Sequence, residues 1–223
     1  MLFARLVLNH RIVINSQCMK KDISICMFDM GGVIARHSDA LIEKKVLREL
    51  GVEEYDRFSD LNGKLDTIML EHTKGNISES EVWEAFSLVT GHKIPAIENS
   101  LWGKYFNPTL DSTMVTLVQE LREKGMRIIC ATNTEPAHYA FHLARGDYSL
   151  FEKVYASVDL HMAKPDMRFF EEILARENIG ASQIFFTDDS KDNCDSARFC
   201  GMNAYLFTNS INLRTHLSDI KML

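Results

Sequence analysis

The chain has little proline and no region of low complexity. Only 4 of its 223 residues are proline, and no internal repeat or Gly/Ser-rich linker interrupts it. Repeat arrays and flexibly linked modules are therefore not indicated. With 46% hydrophobic and 25% charged residues, the chain is able to bury one substantial core and a smaller insertion.

Cysteine is sparse and shows no pairing pattern. The chain has an odd number of cysteines and no C-x-x-C spacing; they are Cys18, Cys26, Cys130, Cys194 and Cys200. This pattern argues against a disulfide framework and against a zinc site. Cys26 and Cys130 lie in apolar runs, where a free cysteine behaves as a small hydrophobic residue. We expect a reduced, cytoplasmic setting.

The sequence has no excess of positive charge. Its formal net charge is -6 and its pI is near 5.8, whereas proteins that bind nucleic acid concentrate positive charge. We therefore expect a small-molecule partner and no nucleic acid.

The N-terminal segment lacks a long apolar run. Arg5, Asn9, His10 and Arg11 interrupt residues 1–18, which argues against a signal peptide or a membrane helix, and we expect no membrane partner. Met19-Lys20-Lys21 is a plausible natural start. We predict residues 1–21 to be a disordered N-terminal extension, with an extra edge strand as the alternative.

The remaining chain shows two kinds of pattern. Residues 37–107 contain helical periodicity without strands, in segments near 41–50, 65–72, 80–91 and 97–106. Elsewhere helices alternate with short apolar strands. Strands are predicted at 23–28, 126–131, 153–158, 183–187 and 203–207, and helices at 110–124, 136–144, 167–177 and 192–200. The predicted fold is α/β, a Rossmann-like parallel sheet with a helical insertion between its first two strands.

Four short polar signatures stand at or just beyond the ends of apolar runs. They are Phe28-Asp29-Met30-Gly31-Gly32-Val33, Ala131-Thr132-Asn133-Thr134, Lys164-Pro165, and Phe186-Thr187-Asp188-Asp189 with Asn193 four residues on. Because the loops at the carboxyl ends of the strands of an open α/β sheet share one crevice, we expect these groups to meet. Carboxylates, a hydroxyl, an amide and a lysine together suit phosphoryl transfer assisted by a metal ion.

These four motifs, in this order and with a helical insertion after the first, resemble the haloacid dehalogenase superfamily over roughly residues 22–208. The opening and closing motifs look like the branch that contains sugar-1-phosphate phosphatases and the phosphatase domain of soluble epoxide hydrolases. The resemblance implies a catalytic core of residues 22–36 and 108–223 and a helical cap of residues 37–107.

The resemblance also implies roles for the first and last motifs. Asp29 is the position of the nucleophile that forms an aspartyl-phosphate. Mg²⁺ would be held by Asp29, the backbone carbonyl of Gly31 and Asp189, which are hard oxygen ligands. Asp188 would orient Lys164 rather than bind metal, with plain solvent exposure at a strand end as its alternative.

The middle motifs would bind the phosphoryl group. Thr132 and Asn133 come after the second strand, where the family contacts phosphoryl oxygens, and Lys164 would stabilise both Asp29 and the charge of the transition state. Asn193 would support the loop that carries Asp189; the alternative is a helix-start asparagine without a role in the site.

The sequence departs from the family at Gly31. Most phosphatases of the superfamily have a second aspartate there, which acts as general acid and base. Either the leaving group needs little protonation, or another group supplies the proton; His37 and His138 are candidates because imidazole titrates near neutral pH. His138 and His142 also have the i, i+4 spacing of a metal pair, a less favoured interpretation because no third ligand accompanies them.

The cap is expected to read the rest of the substrate. Arg36, His37, Trp102, Tyr105 and Asn107 are placed for such contacts, although cap core is the favoured interpretation of Trp102 and Tyr105. The leading hypothesis is a Mg²⁺-dependent phosphatase of a small phosphorylated metabolite, with a hexose 1-phosphate favoured, acting as monomer or homodimer. The alternatives are a hydrolytic haloacid dehalogenase and a non-catalytic phosphate- or partner-binding module.

Overall fold

The computed structural model describes residues 23–223. The predicted N-terminal extension, residues 1–21, lies outside the described residues, as does the alternative of an edge strand there.

Seven strands form two sheets in this part of the chain. They are β1 Ile25–Phe28, β2 Ala35–Arg36, β3 Thr109–Leu110, β4 Arg127–Thr132, β5 Lys153–Ala156, β6 Ile184–Asp188 and β7 Asn203–Leu206. The central sheet is parallel throughout, in the order β5-β4-β1-β6-β7. Phe28 pairs with Cys130 on one side and with Thr187 on the other. The first, second and fourth motifs therefore leave the sheet side by side.

Helices cover the sheet and build the insertion. They are α1 Asp39–Glu49, α2 Phe58–Leu61, α3 Lys64–Thr73, α4 Glu79–Thr90, α5 Leu101–Tyr105, α6 Ser112–Glu123, α7 Pro136–Arg145, α8 Ser157–Leu160, α9 Met167–Glu177, α10 Lys191–Phe199 and α11 Ser210–Asp219. Short 3₁₀ helices span Asp147–Leu150 and Ala181–Gln183. Within the described residues, no helix is both long and apolar enough to cross a membrane.

Local sequence signals explain where several helices begin. The Ser38 side chain accepts a hydrogen bond from Leu41 N at the start of α1. Ser78 and Glu81 form a reciprocal capping box before α4, and Pro136 occupies the first turn of α7. These groups satisfy or avoid the backbone N–H groups that a helix start leaves without partners.

Three apolar clusters hold the molecule together. Side chains alternate along β1, so that Cys26 and Phe28 enter the cluster on one face of the sheet while Ile25 and Met27 enter that on the other. The third cluster lies within residues 37–106, with some packing from α7. The sheet thus has helices on both faces, and the insertion, called the cap below, has its own core.

Aromatic rings dominate the core of the cap. Phe58, Trp83, Phe86 and Trp102 pack together, with the two indole rings stacked at a centroid distance of 5.9 Å. Tyr105 is half-buried and donates its hydroxyl hydrogen bond to Glu49. The interpretation of Trp102 and Tyr105 as cap core is confirmed.

Several predicted elements were too long, and two of them show the reason. The helix predicted at 97–106 begins only at Leu101, because Ser100 caps it by accepting from Gly103 N at 2.8 Å. The strand predicted at 153–158 ends at Ala156, and helix α8 begins at Ser157. The four-residue α2, the terminal α11 and the two-residue strands β2 and β3 were not predicted.

The cap meets the core through α7, which packs against the cap's apolar cluster, and through polar contacts at two further places. Strands β2 and β3 pair antiparallel where the chain enters and leaves the cap, and Arg36 forms an ion pair with Asp111 beside them. At the other place, the C-terminal end of α3 contacts the core: the buried Ser157 hydroxyl donates to Thr73 O at 2.6 Å and accepts from Thr134 N at 2.9 Å. The cap is therefore bonded to the loop after β4.

Candidate active site

A buried lysine joins two carboxylates at the carboxyl ends of the strands. Lys164 Nζ lies 2.7 Å from Asp29 Oδ1 and 2.6 Å from Asp188 Oδ2, and it also donates to Ala131 O at 2.7 Å. All three charged residues are buried. The three donors of the ammonium group are therefore accounted for, and its position is fixed.

Asp188 is held on all sides by hydrogen-bond donors. Its Oδ1 accepts from Ser190 N at 2.8 Å, and its carboxylate accepts from Asn193 Nδ2 at 3.0 and 3.1 Å. With Lys164 on Oδ2, both oxygens are committed to protein donors. The geometry places Asp188 as the partner of Lys164, and it places Asn193 on Asp188 rather than directly on Asp189.

Asp189 lies opposite Gly32. The φ angle of Gly32 is +74°, and a β-carbon built there would lie 2.0 Å from Asp189 Oδ2. Only glycine gives the carboxylate this space and adopts this conformation without strain. The turn after β1 and the turn after β6 therefore approach each other as closely as backbone and side chain allow.

Three carboxylates converge in a manner that suits a divalent cation. Asp29, Asp188 and Asp189 each offer an oxygen, and these oxygens lie within 4.8 Å of one another. Against three carboxylates stands the single ammonium of Lys164, so the cluster carries an excess of negative charge. Hard oxygen donors of this kind fit Mg²⁺ better than a soft metal. Because the Asp188 oxygens already accept hydrogen bonds from the protein, Asp29 and Asp189 are the carboxylates of this cluster suited to hold Mg²⁺.

Without a cation, the crowding of buried carboxylates in this cluster raises their pKa values. Burial raises the pKa of the Asp29 carboxyl to about 7, with further repulsion from Asp188 and Asp189, against the attraction of Lys164. Burial and repulsion from Asp188 likewise raise the pKa of Asp189. Burial alone would lower the pKa of Lys164, but its two carboxylate partners outweigh burial and raise it well above its ordinary value. The lysine stays charged.

The loop after β4 is tied to the lysine's backbone. Asn133 donates through Nδ2 to Lys164 O at 2.8 Å and accepts from Lys164 N at Oδ1 at 2.9 Å. Both polar ends of this amide are thus occupied. Thr132 is buried and lines the same cleft. The structure brings Thr132, Asn133 and Lys164 together, with the Asn133 side chain holding the Lys164 loop.

His37 occupies the space beside Gly31. A β-carbon at position 31 would lie 3.0 Å from His37 Cε1. His37 Nε2 lies 2.9 Å from Asp39 Oδ1, while Nδ1 has no hydrogen-bond partner among the described residues. Burial opposes protonation of the ring, but the hydrogen bond to Asp39 and nearby carboxylates outweigh burial and raise the pKa of His37. The imidazole therefore occupies the space into which a side chain at position 31 would project.

The two histidines of α7 each have their own carboxylate. His138 Nδ1 lies 2.7 Å from Glu135, and His142 Nδ1 lies 2.6 Å from Asp147. Within residues 23–223 the group of three potential metal ligands is the aspartate cluster, and neither histidine belongs to it. The interpretation of His138 and His142 as a metal pair receives no support.

A cleft of about 470 Å³ opens above these groups. Its floor includes Asp29, Gly31, Thr132, Lys164 and Asp189, and its wall includes His37 and residues of α3 from the cap. Arg36, Tyr105 and Asn107, which were expected near the substrate, are not among the lining residues. Arg36 is instead paired with Asp111, because β2 turns it away from the cleft.

Sequence reasoning gave no role to several lining residues. They are Met30, Asp39, Asp66, Met69, Leu70, Thr73, Phe106, Thr134, Glu135 and Tyr148, and His142, considered only as a metal ligand, also lines the cleft. Thr134 and Glu135 lie at the end of the second motif, so their position after a strand could have predicted them as lining residues. The residues of α3 carry no such signal, because the sequence does not reveal which face of a cap helix turns toward the core.

Comparison with known proteins places the chain in a family. A haloacid dehalogenase-like hydrolase family profile matches residues 23–201. The sesquiterpene phosphatase astK of Aspergillus oryzae is 26% identical over 193 residues, which are 83% of this chain and 90% of that protein.

Solved structures share the fold. The HAD family enzyme bt-2542 of Bacteroides thetaiotaomicron, crystallised with magnesium and inorganic phosphate, is 25% identical, with a TM-score of 0.66 over 83% of this chain and 94% of that one. A predicted HAD-like hydrolase of Porphyromonas gingivalis superposes with a TM-score of 0.70 at 21% identity, over 88% and 98% of the two chains. Because the family profile covers residues 23–201, this chain belongs to the haloacid dehalogenase-like hydrolases.

Proposed function

We propose that the protein is a Mg²⁺-dependent phosphatase that hydrolyses a small phosphorylated metabolite through an aspartyl-phosphate. The observation that carries this proposal is the buried Lys164 ammonium, which is bonded to Asp29 and Asp188 on the floor of a cleft that Asp189 also lines. A relative named as a phosphatase and a similar structure with bound magnesium and phosphate support it.

Asp29 is the proposed nucleophile. Its Oδ1 is hydrogen-bonded to Lys164, which orients the carboxylate and opposes its protonation. A carboxylate oxygen attacks phosphorus, the ester oxygen leaves, and water then hydrolyses the aspartyl-phosphate. Lys164 also offsets negative charge on the phosphoryl group, with Asp188 and Asn193 as positioning residues for the lysine.

Asp29, the Gly31 carbonyl and Asp189 would hold Mg²⁺. When bound, this ion supplies charge neutralisation that lets an anionic nucleophile approach an anionic phosphate. Thr132 and the backbone of Asn133 would contact phosphoryl oxygens, because the Asn133 side chain is already engaged with Lys164.

His37 is the proposed general acid and base in place of the missing aspartate. It adjoins Gly31, Asp39 holds its Nε2, and its Nδ1 is unpartnered among the described residues. His138, the other candidate, is stacked on Phe106 at 3.7 Å between ring centroids and bonded to Glu135. The geometry favours His37 for proton transfer to the leaving group.

The proposed substrates begin with hexose 1-phosphates. The name of the Aspergillus oryzae relative adds sesquiterpenyl phosphates as a second class to test. We propose a cytoplasmic protein without nucleic-acid or membrane partners, active as a monomer or homodimer.

The test is phosphate release from p-nitrophenyl phosphate and a panel of sugar and prenyl phosphates, with Mg²⁺ or EDTA, for wild type and Asp29→Asn. We expect turnover that requires Mg²⁺ and is lost in the variant. Chloride release from 2-chloropropionate without metal would instead establish dehalogenation. Binding of Mg²⁺ and inorganic phosphate without turnover of any substrate would establish a binding module.

A further inference from the structure

Helix α3 of the cap ends against the core segment that begins at α8. The last carbonyls of a helix have no partner within it, and the core supplies partners for two of them. Ser157 Oγ donates to Thr73 O at 2.6 Å, and His161 Nδ1 lies 3.1 Å from Lys74 O. We call this contact, made by residues 73–75 of the cap and residues 157–161 of the core, the latch. It is separate from the two chain junctions and from the packing of α7 against the cap.

Backbone also meets backbone in the latch. Gly75 has a φ angle of +69°, and a β-carbon built on it would lie 3.0 Å from Val158 O and 3.3 Å from Val158 Cα. Glycine is therefore needed there twice, for the left-handed turn that ends α3 and for the close approach to α8. Because the neighbouring atoms belong to the backbone, a larger residue at position 75 has to push α3 away from α8.

The Ser157 hydroxyl connects the latch to the floor of the cleft. Ser157 is fully buried, and its oxygen accepts from Thr134 N at 2.9 Å. Since a peptide bond is planar, this hydrogen bond fixes the peptide between Asn133 and Thr134, beside the backbone that is proposed to contact phosphoryl oxygens. The Asn133 side chain holds the Lys164 backbone. The loop after β4 is thus held by the Lys164 segment on one side and by Ser157 on the other.

On the basis of the proposed function, we infer that Ser157 is a positioning residue that couples the docking of α3 on the core to the orientation of the loop after β4. A misplacement of about 1 Å in such a loop costs up to about 100-fold in rate. Phosphate still binds through Lys164 and Mg²⁺ when the loop is misplaced, so the coupling acts on kcat more than on KM.

The hydroxyl proton of Ser157 has a second acceptor for the undocked state. Thr134 O lies 3.3 Å from Ser157 Oγ, farther than the 2.6 Å to Thr73 O. With α3 docked, the shorter distance favours donation to Thr73 O. With α3 displaced, the proton turns to Thr134 O, so Ser157 keeps a partner and the change costs little. The loop after β4 thereby gains or loses a hydrogen bond according to the position of the cap.

Two glycines of the cap provide a matched experiment. Gly75 and Gly91 each follow a cap helix with φ angles of +69° and +73°, but a β-carbon at Gly91 meets nothing within 4 Å. Gly75→Ala and Gly91→Ala therefore add similar backbone strain, and only the first pushes α3 off the core. We expect both to lower Tm by roughly 2–8 °C. Well below these Tm values, Gly75→Ala and Ser157→Ala should lower kcat for p-nitrophenyl phosphate with Mg²⁺ by about 10- to 100-fold, whereas Gly91→Ala should leave it unchanged.

The amide proton of Thr134 reports the coupling without turnover. Its hydrogen exchange, followed by NMR, should become about tenfold faster in Ser157→Ala, which removes the acceptor of this amide. It should also become faster in Gly75→Ala, where the acceptor is present but α3 is displaced. In Gly91→Ala the exchange rate should stay within about threefold of that of wild type.

The possible failures are distinguishable. If wild type releases no phosphate with Mg²⁺, the proposed function is wrong, and the exchange of the Thr134 amide still decides the coupling. If Gly75→Ala keeps the kcat and the exchange rate of wild type, or if Gly91→Ala changes both as much, the coupling is overturned. Turnover of Ser157→Ala at the wild-type rate would show that Ser157 supports the structure without positioning the loop, which also overturns the assignment.

Discussion

Replacing Gly32 by alanine tests the tightest contact in the site. The residue has a φ angle of +74°, a left-handed conformation that costs an L-residue with a β-carbon about 1–2 kcal/mol. For a protein of this size, that loss lowers Tm by roughly 2–8 °C. The new β-carbon also meets Asp189 Oδ2 at 2.0 Å, so the carboxylate has to move away from the aspartate cluster.

The second effect is visible in the response to Mg²⁺. At a concentration about 100 times its Kd, a ligand stabilises the folded state by about 2.7 kcal/mol. If the displaced Asp189 weakens Mg²⁺ binding by about 100-fold, the same concentration contributes only about 0.4 kcal/mol. The difference between wild type and Gly32→Ala should therefore widen from about 1–2 kcal/mol in EDTA to roughly 3–4 kcal/mol with Mg²⁺.

Urea unfolding monitored by circular dichroism, with EDTA or Mg²⁺, measures both effects. Gly31→Ala is the matched control from the adjacent position, where the new β-carbon meets only the movable His37 ring, at 3.0 Å. We expect Gly31→Ala to retain the stabilisation by Mg²⁺. Equal stabilisation of wild type and Gly32→Ala by Mg²⁺ would refute the argument that these two turns build the metal site.

Three further perturbations test the charges of the site. In the metal-free protein the pKa of Asp29 is about 7 in the folded state, above its value in the unfolded chain. Protonation of Asp29 therefore stabilises the folded state, and this stabilisation is lost as pH rises. The unfolding free energy should fall by about 1.4 kcal/mol between about pH 6 and 8. Urea titrations in EDTA measure this slope, and an undiminished slope in Asp29→Asn would contradict the assignment, because the raised pKa values of Asp189 and His37 account only for the remainder. Lys164→Met should lower the unfolding free energy by about 3–5 kcal/mol, because two buried carboxylates lose their cation. The control is Lys191→Met at an exposed lysine, which should change the unfolding free energy by less than about 0.5 kcal/mol. Comparable losses in the two variants would be inconsistent with a buried ion-pair centre. His37→Ala should slow hydrolysis of alkyl phosphates by about 10²–10⁴-fold. It should slow hydrolysis of p-nitrophenyl phosphate much less, since nitrophenolate leaves without a proton. Steady-state kinetics with both substrates measure the two effects, and equal slowing argues against His37 as a general acid.

The meeting of Asp29, Lys164 and Asp188 was accessible to sequence reasoning. Each motif stands at or near a strand end, and parallel strands end at one edge of the sheet. The superfamily and the α/β fold with a helical cap were predicted for the same reason and are confirmed. The branch within the superfamily, the residue roles and the domain boundaries stay predictions.

The features that escaped prediction depend on packing between distant segments. No local pattern shows that Asn193 bonds to Asp188, or that Arg36 turns to Asp111. The helical pattern extends to residues before 101, but the Ser100 side chain caps the N-terminus of α5, so the helix begins only at Leu101. That Trp102 Nε1 is buried without a hydrogen-bond partner in residues 23–223 is visible only once its neighbours in three dimensions are known.

The hydroxyl of Ser157 has a consequence for anyone who exchanges caps between enzymes of this fold. A chimera designed only at the two chain junctions near 36 and 108 would bring in a foreign α3 whose last carbonyl need not reach Ser157. Ser157 would then lose the acceptor on the cap for its hydroxyl hydrogen, while it still accepts from Thr134 N. The loop after β4 would no longer be linked to the cap through this hydroxyl. A transplant that keeps the geometry of residues 73–75 therefore preserves the support of the loop after β4, whereas one matched only at its ends need not.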